Sequence, residues 1–476
     1  MRKIQQSKIL ELISTMREAQ SAGLYAEASE GALAVGAFLE TIAGGGTQTA
    51  ALLAEYRRLL VRAGNGEING KALRRHLIKI ENSVRSELAP SGTEIVFISY
   101  CAAMSDSILS IYQAAKADPG CNAVWLPVPY FERNPDGSFG EMHFEGADCY
   151  GDAVACADWR TYDMEARRPD AVVSYAPYDE GNLVTSVHPD FYFRRLRERT
   201  DLLVYVPYFV TMGEVREHFC TLAGCVYAHK VMVASEEERR TYLRVFQKAF
   251  GSRHGKPADK FVALGSPKFD AVLHARREDC KLPDSWRERI AGKKVIFYNT
   301  TLGAMLAGNE QYLEKLRSVL ETFRQRGDVV LWWRPHPLSE QTYRSMRPAL
   351  AEEWRGIVAE YRGGEWGIYD DTPDLHRAIA WSDAYYGDRS SLAALYGATK
   401  KPLLISARTR RHRENFHIQN WYTADVDEDD LNNWLDGKEK WKYLKDFSDV
   451  FDGRLIDGNV GRRIYEYVLK EIKRFR

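Results

Sequence analysis

From about residue 90 onward the chain alternates short apolar, β-branched runs with amphipathic helical stretches, and it does so twice. That alternation constrains the fold more than any other feature. EIVFIS (94–99), AVWLPVPY (123–130), DAVVSYA (170–176), DLLVYVPYF (201–209), HKVMVAS (229–235) and KFVALGS (260–266) read as strands, and helical segments such as EEERRTYLRVFQKAF lie between several of them. Strands alternating with helices imply an α/β fold with a parallel, doubly wound sheet. The pattern restarts at KKVIFYNT (293–300) and continues through DVVLWW (328–333), DAYYGD (383–388) and KPLLIS (401–406). Two Rossmann-like units are expected, at 90–285 and 290–455. Ligands of open α/β sheets bind beyond the carboxyl ends of the strands, so tandem units face a cleft with their strand-end loops.

The flanks are different. Residues 1–88 carry apolar residues at helical spacing with glycine breaks, as in SKILELISTMREAQSAG and KALRRHLIKIENSVRSEL. A helical region for packing or homo-oligomer formation is expected, with membrane or partner docking as the alternative. Residues 459–476 form an amphipathic helix with a basic end, expected to pack on one of the two units.

Lys+Arg and Asp+Glu are both 66, so nothing in the charge balance suggests nucleic-acid binding. Seven cysteines without a CxxC pair argue against a disulfide framework or a zinc site. MRKIQQSKILELISTM lacks the apolar core of a signal peptide, and there is no run of about 18 apolar residues. The expectation is a cytoplasmic protein, with peripheral attachment at the inner face of the cell membrane left open.

The strand-end loops carry the candidate chemistry. In LGSPKFD (264–270), Gly265 allows close backbone approach and Lys268 lies near the hinge between the units. In YNTTLG (298–303), Asn299, Thr300 and Thr301 offer an amide and two hydroxyls to phosphate or ribose oxygens, or to local turn amides. In VVLWWRPHP, Pro335 and Pro337 end the strand and hold Arg334 and His336 extended. Arginine matches phosphate in a forked geometry, and histidine can donate to a phosphoryl oxygen or move a proton. In YYGDRSSLAALYG (385–397), Asp388 ends a strand while Ser390 and Ser391 open a helix, where they can cap it or bond a diphosphate. Asp370, Asp371 and Thr372 in IYDDTPDLHRAIA are helix-capping or nucleotide-contacting candidates, unconvincing as a metal site.

Taken in order, YNTT, WRPHP, DDTPDLHRAIAWSD and YGDRSSLAALYGATKKPLL resemble the CDP-glycerol glycerophosphotransferase family, the teichoic acid primases and polymerases. The resemblance covers about residues 200–405 and is strongest at 329–405. It implies a GT-B fold and a CDP-activated donor such as CDP-glycerol. It implies a polyol-phosphate or glycan acceptor; no DxD pair follows a strand in the first unit, so no metal or cofactor is expected. The family's histidine–proline strand end and Asp-x-Ser-Ser helix start bind the donor pyrophosphate, which assigns that role to Arg334, His336, Asp388, Ser390 and Ser391. LGSPKFD is similar to the family's Gly-x-Pro-Arg-x-Asp turn, with Lys268 in place of the arginine.

One departure stands out. The family's Trp-His-Gly motif, with its proposed catalytic histidine, has no counterpart here. The equivalent strand end, VYVPYFVTMG, presents Pro207 and Tyr208 instead. His188 in TSVHPDFYF and Asp179 or Glu180 in YAPYDEGN are the nearest substitutes, with His336 the further catalytic candidate. NPDGSFGEMH (134–143) reads as a tight turn between extended arms, a surface hairpin or an acceptor-side loop. Arg408, Arg410, Arg411 and Arg413 in SARTRRHRENFH form a solvated basic loop or an anionic acceptor site. The same fold with a UDP- or GDP-sugar donor, and a non-catalytic nucleotide-binding module, are the competing functions.

Overall fold

In the computed structural model, the residues described are 3–43, 46–88, 92–134, 136–151, 154–182, 184–211, 215–406, 423–424, 428–436 and 453–475. Four helices open the chain: α1 (Lys3–Ser21), α2 (Tyr25–Ala43), α3 (Gln48–Gly64) and α4 (Gly70–Glu87). Each packs on its sequence neighbours, and α1 also packs on α4, closing a bundle. Its core collects Ile9, Ile13, Val35, Leu39, Leu53, Leu77 and Ile80, the residues at helical spacing. Thr47 caps α3 by accepting from the Ala50 amide, and Asn69 caps α4 by accepting from Ala72. Gln5 Nε2 donates to the carbonyls of Ala166 and Arg167, fastening the bundle to the next unit.

The strands follow in chain order: β1 (Thr93–Ser99), β2 (Cys121–Pro127), β3 (Tyr130–Arg133), β4 (Phe139–His143), β5 (Ala171–Ser174), β6 (Thr185–Val187), β7 (Leu202–Tyr205), β8 (Lys230–Val233) and β9 (Phe261–Ala263). The first sheet is parallel with order β2-β1-β5-β7-β8-β9. β3 and β4, on either side of the turn that begins at Asn134, form a hairpin, which β6 joins to make a small antiparallel sheet.

The second sheet contains β10 (Lys294–Thr300), β11 (Val329–Pro335), β12 (Ile368–Tyr369), β13 (Ala384–Asp388), β14 (Leu403–Ser406) and β15 (Thr423–Ala424). It is parallel in the order β12-β11-β10-β13-β14-β15. Apolar groups fill both faces, as the unbroken sequence runs require. Val329, Leu331 and Trp333 enter one core while Val330 and Trp332 enter the other.

The chain passes between units just after β9. Phe269 and Val272 of the helix Lys268–His274 already belong to the second sheet's core. It returns through the C-terminal helix Val460–Phe475, whose Val460, Ile464, Tyr465, Val468 and Ile472 pack beneath the first sheet with Ile111, Tyr112 and Trp125. Asp270 fixes that return. Its carboxylate accepts from the amides of Val460 (3.0 Å) and Gly461 (2.7 Å), the first residues of the helix, and from Ser110 Oγ (2.9 Å). A carboxylate at a helix N-terminus satisfies orphan amides and opposes the helix dipole.

Candidate functional site

In the second sheet, β10 lies between β11 and β13, and the connections run outward from it in opposite directions. The strand order reverses between β10 and β13, so a crevice opens beyond their carboxyl ends. The loops that line it are 299–303 and 387–391, two of the loops singled out by sequence.

Those loops are fastened to each other. Asn299 is buried, donates Nδ2–H to the Arg334 carbonyl (3.0 Å) and accepts from Ser390 Oγ (3.1 Å). Gly387 has φ 151°, and a Cβ there would stand 2.3 Å from the Asn299 carbonyl oxygen, so the strands approach as only glycine allows. Asp388 Oδ2 accepts from the Thr301 amide (2.7 Å), Thr301 Oγ1 (3.2 Å) and the Tyr312 hydroxyl (3.0 Å). Burial pushes the Asp388 pKa up, and these donors offset part of the rise. Thr301 and Ser390 cap the helices that follow, accepting from Ala304 and Ala393. Thr300 is fully buried and accepts from the Trp333 indole (3.2 Å). Hydrogen bonds tie these residues together at the switch point. Ser391, the first residue of the helix that Ser390 caps, is exposed.

Arg334 is held just as firmly. Its Nη1 lies 2.9 Å from Asp370 Oδ2, and Nη2 donates to the Thr372 carbonyl (2.5 Å). Asp370 is wholly buried. It also accepts from the Trp332 indole (2.9 Å), the Thr372 amide (3.0 Å) and the Thr372 hydroxyl (2.7 Å). The Thr372 hydroxyl oxygen in turn accepts from Arg377. The arginine read from sequence as a phosphate fork thus braces the loop after β12.

His336 is braced and still able to donate. Its amide donates to the Thr300 carbonyl (3.0 Å), and its carbonyl accepts from the Ser339 amide (2.9 Å) and hydroxyl (2.7 Å). The Leu338 amide donates to Nδ1 (3.2 Å), so the neutral ring carries its proton on Nε2. Partial burial lowers the ring's pKa, which favours that neutral form. No described residue accepts from Nε2–H.

The motif 264–270 serves the hinge. Gly265 has φ 98°, and a Cβ there would meet the Leu455 carbonyl at 2.7 Å and Val460 at 3.0 Å. The close approach that Gly265 permits is made by the chain's own C-terminal segment. Lys268 Nζ lies 2.5 Å from Asp106 Oδ1, and Asp106 Oδ2 lies 3.4 Å from His376 Nε2. Asp106 follows β1 in the first unit, while His376 follows β12 in the second. The contact joins the two carboxyl-terminal edges. Burial pushes the Asp106 pKa up, but Lys268 and His376 outweigh it and hold the carboxyl down at about 2.

In the first unit, Asp179 is buried at φ 45° and accepts from the amides of Phe193 (2.7 Å) and Arg194 (3.3 Å). It caps the helix Phe193–Glu198, and burial raises its pKa to about 6. His188 accepts at Nδ1 from the Asp190 amide (3.3 Å) and sits among the rings of Phe131, Trp159 and Phe191. Tyr208 pairs its hydroxyl with that of Tyr178 (2.8 Å). Arg408, Arg410 and Arg411 lie outside the described residues. Among the described residues no group of three or more His, Cys, Asp or Glu side chains is placed to hold a metal ion.

Sequence reasoning passed over two residues of the contact between the units. Asp106 and His376 carried no signal of their own, since they are joined across 270 positions only by the facing of the two sheets.

A family model described as CDP-glycerol:poly(glycerophosphate) glycerophosphotransferase matches residues 227–470, half of the chain. Both crevice loops, the WRPHP strand end and the loop after β12 fall within that span. The chain belongs to this family. No curated protein matches it. Among solved structures it is similar to a UDP-N-acetylglucosamine 2-epimerase from Listeria monocytogenes, at 14% identity and a TM-score of 0.51, covering 80% of this chain and 97% of that one. The wall teichoic acid polymerase TagF is also similar, at 15% identity and a TM-score of 0.47, covering 90% of this chain and 98% of that one. The architecture, two Rossmann-like units facing a cleft, is GT-B.

Proposed function

We propose that this family member transfers glycerol phosphate, or a related polyol phosphate, from a CDP-activated donor to an acceptor hydroxyl during synthesis of a teichoic-acid-like surface polymer, releasing CMP. The observation that carries the reading is the family match, which spans every loop at the crevice of the second sheet. The donor pyrophosphate would lie in that crevice, with His336 Nε2–H and the Ser391 hydroxyl as donors to its oxygens. Charge develops on the departing phosphate as the bond to the β-phosphorus breaks. Fixed donors stabilise it most when they need no rearrangement, and the backbone bracing of His336 provides that. Arg334 supports the site from behind by fixing the loop after β12.

The acceptor would be presented from the first unit, at the inner face of the cell membrane. No described helix is long and apolar enough to cross a membrane.

The test is thermal stabilisation of the purified chain by CDP-glycerol, CDP-ribitol, UDP-GlcNAc and GDP-mannose, followed by an assay of CMP release. Stabilisation by CDP-polyols with CMP release is expected. Selective stabilisation by a UDP- or GDP-sugar would replace this reading with glycosyl transfer.

A further inference from the structure

The strand end after β7 carries Pro207 and Tyr208 and presents no histidine. His188 accepts at Nδ1 from the Asp190 amide, and Asp179 accepts from the first amides of the helix Phe193–Glu198. His376 is an imidazole beside a carboxylate where the two strand-end edges meet.

Its surroundings are unusual for a surface histidine. Nε2 lies 3.4 Å from Asp106 Oδ2, and the other Asp106 oxygen is held by Lys268 at 2.5 Å. Asp106 and Lys268 side chains are each 12% exposed. Nδ1 is buried and has no hydrogen-bond partner among the described residues. A buried, unpaired ring nitrogen is unfavourable by about 1–3 kcal/mol and calls for an explanation. A simple ionic pin between the units would not require it, because Lys268 already neutralises Asp106. His376 also lies in the first turn of the helix that follows β12, four residues beyond the Thr372 that Arg334 grips. It therefore stands on the donor unit and faces the acceptor unit.

We propose that His376, oriented by Asp106, is the proton acceptor for the incoming hydroxyl. The proposal rests on the transfer reaction given above. Asp106 accepts from Nε2–H and stays ionised, which directs the lone pair of Nδ1 toward the acceptor. The acceptor oxygen forms a bond to the β-phosphorus while its proton passes to Nδ1. The bond from the β-phosphorus to the bridging oxygen breaks, and CMP leaves with that electron pair. Asp106 then stabilises the imidazolium. Nδ1 is buried in this arrangement, so the acceptor hydroxyl reaches it only when the units part. Lys268 holds Asp106 in place and is a positioning residue.

The experiment uses the full chain with CDP-glycerol as donor, a soluble glycerol phosphate oligomer as acceptor, and CMP release as readout. H376Q retains an amide donor toward Asp106 and removes the lone pair of Nδ1. It is expected to lose ~100-fold in kcat with CDP-glycerol affinity within about twofold of the parent, as for loss of a group acting only in the transition state. H376A is expected to lose as much and to regain turnover with added imidazole, which a structural defect would not do. D106N is expected to lower kcat with little change in KM. Activity of H376Q within about threefold of the parent, or a folded, donor-binding H376A that imidazole fails to rescue, overturns the proposal. A parent enzyme that ignores CDP-glycerol but turns over a sugar nucleotide, with that turnover lost in H376Q, sinks the donor reading and leaves the base standing.

Discussion

Arg334 Nη1 and Asp370 Oδ2 lie 2.9 Å apart, with Asp370 wholly buried and Arg334 nearly so. This pair decides what the strand end WRPHP does. Removing one partner of a buried ion pair leaves an uncompensated charge, which costs about 3–5 kcal/mol. R334A is expected to lose stability of that order in a urea titration, along with donor binding. R334K is expected to lose a substantial part, since an ammonium cannot serve the Asp370 carboxylate and the Thr372 carbonyl in the same fork. An R334A protein with parental stability and only weakened donor binding would show the arginine to be a phosphate ligand instead.

His336 predicts the opposite pattern. Its backbone is fixed by Thr300 and Ser339, and its ring adds only a bond from the Leu338 amide. H336A is expected to weaken CDP-glycerol binding by about tenfold, the worth of one hydrogen bond to a charged group. The midpoint of thermal unfolding should move little. H336Q places an amide near the position of Nε2 and should recover part of the affinity. Because burial lowers the ring's pKa, the neutral donor form persists through neutral pH, and affinity measured by calorimetry should be flat from pH 7 to 8. A steep fall over that interval would indicate that the imidazolium is the binding form.

The sheets were legible in the sequence because parallel strands covered on both faces appear as unbroken apolar runs. The strand ends were legible because proline, glycine and short polar residues mark them. What was not legible depended on partners distant in the chain. Nothing beside Arg334 announces that Asp370 will claim it, and nothing beside Gly265 announces the Leu455 carbonyl. β12 has two residues, too few for any periodicity, yet it places the loop that carries Thr372 and His376. The packing of residues 268–274 depends on distant partners in the same way. The helix Lys268–His274 looks like a continuation of the first repeat until Phe269 and Val272 are seen in the second core.

The Asp106 carboxyl gives a pH signature. Its pKa is about 2 in the folded chain against 3.8 for the free side chain. A group whose folded pKa is depressed contributes stability that is present above the unfolded value and lost as pH falls through the folded one. The shift corresponds to about 2 kcal/mol at neutral pH. D106N is therefore expected to be less stable than the parent by roughly that amount at pH 7. The gap should narrow between pH 4 and pH 2, read from denaturant midpoints at each pH. A gap that stays constant across the window would mean that Asp106 acts through packing and not through its charge.

The hinge offers the most direct test of how the two units are joined. Asp270 belongs to the helix after the passage between units, yet it caps the C-terminal helix that returns to the first sheet and also holds Ser110. D270A removes a helix cap and leaves two buried amides and a hydroxyl without their acceptor, so a loss of about 2–4 kcal/mol is expected. G265A acts on the same contact from the other side. Its Cβ would meet the Leu455 carbonyl at 2.7 Å from a backbone with φ 98°, which combines strain with overlap. Both variants should loosen the helix Val460–Phe475 before the sheets unfold. Hydrogen exchange should therefore rise first in that helix and in residues 109–116, against which it packs. Uniform exchange across the whole chain in both variants would mean that the return helix and the two sheets unfold as one unit.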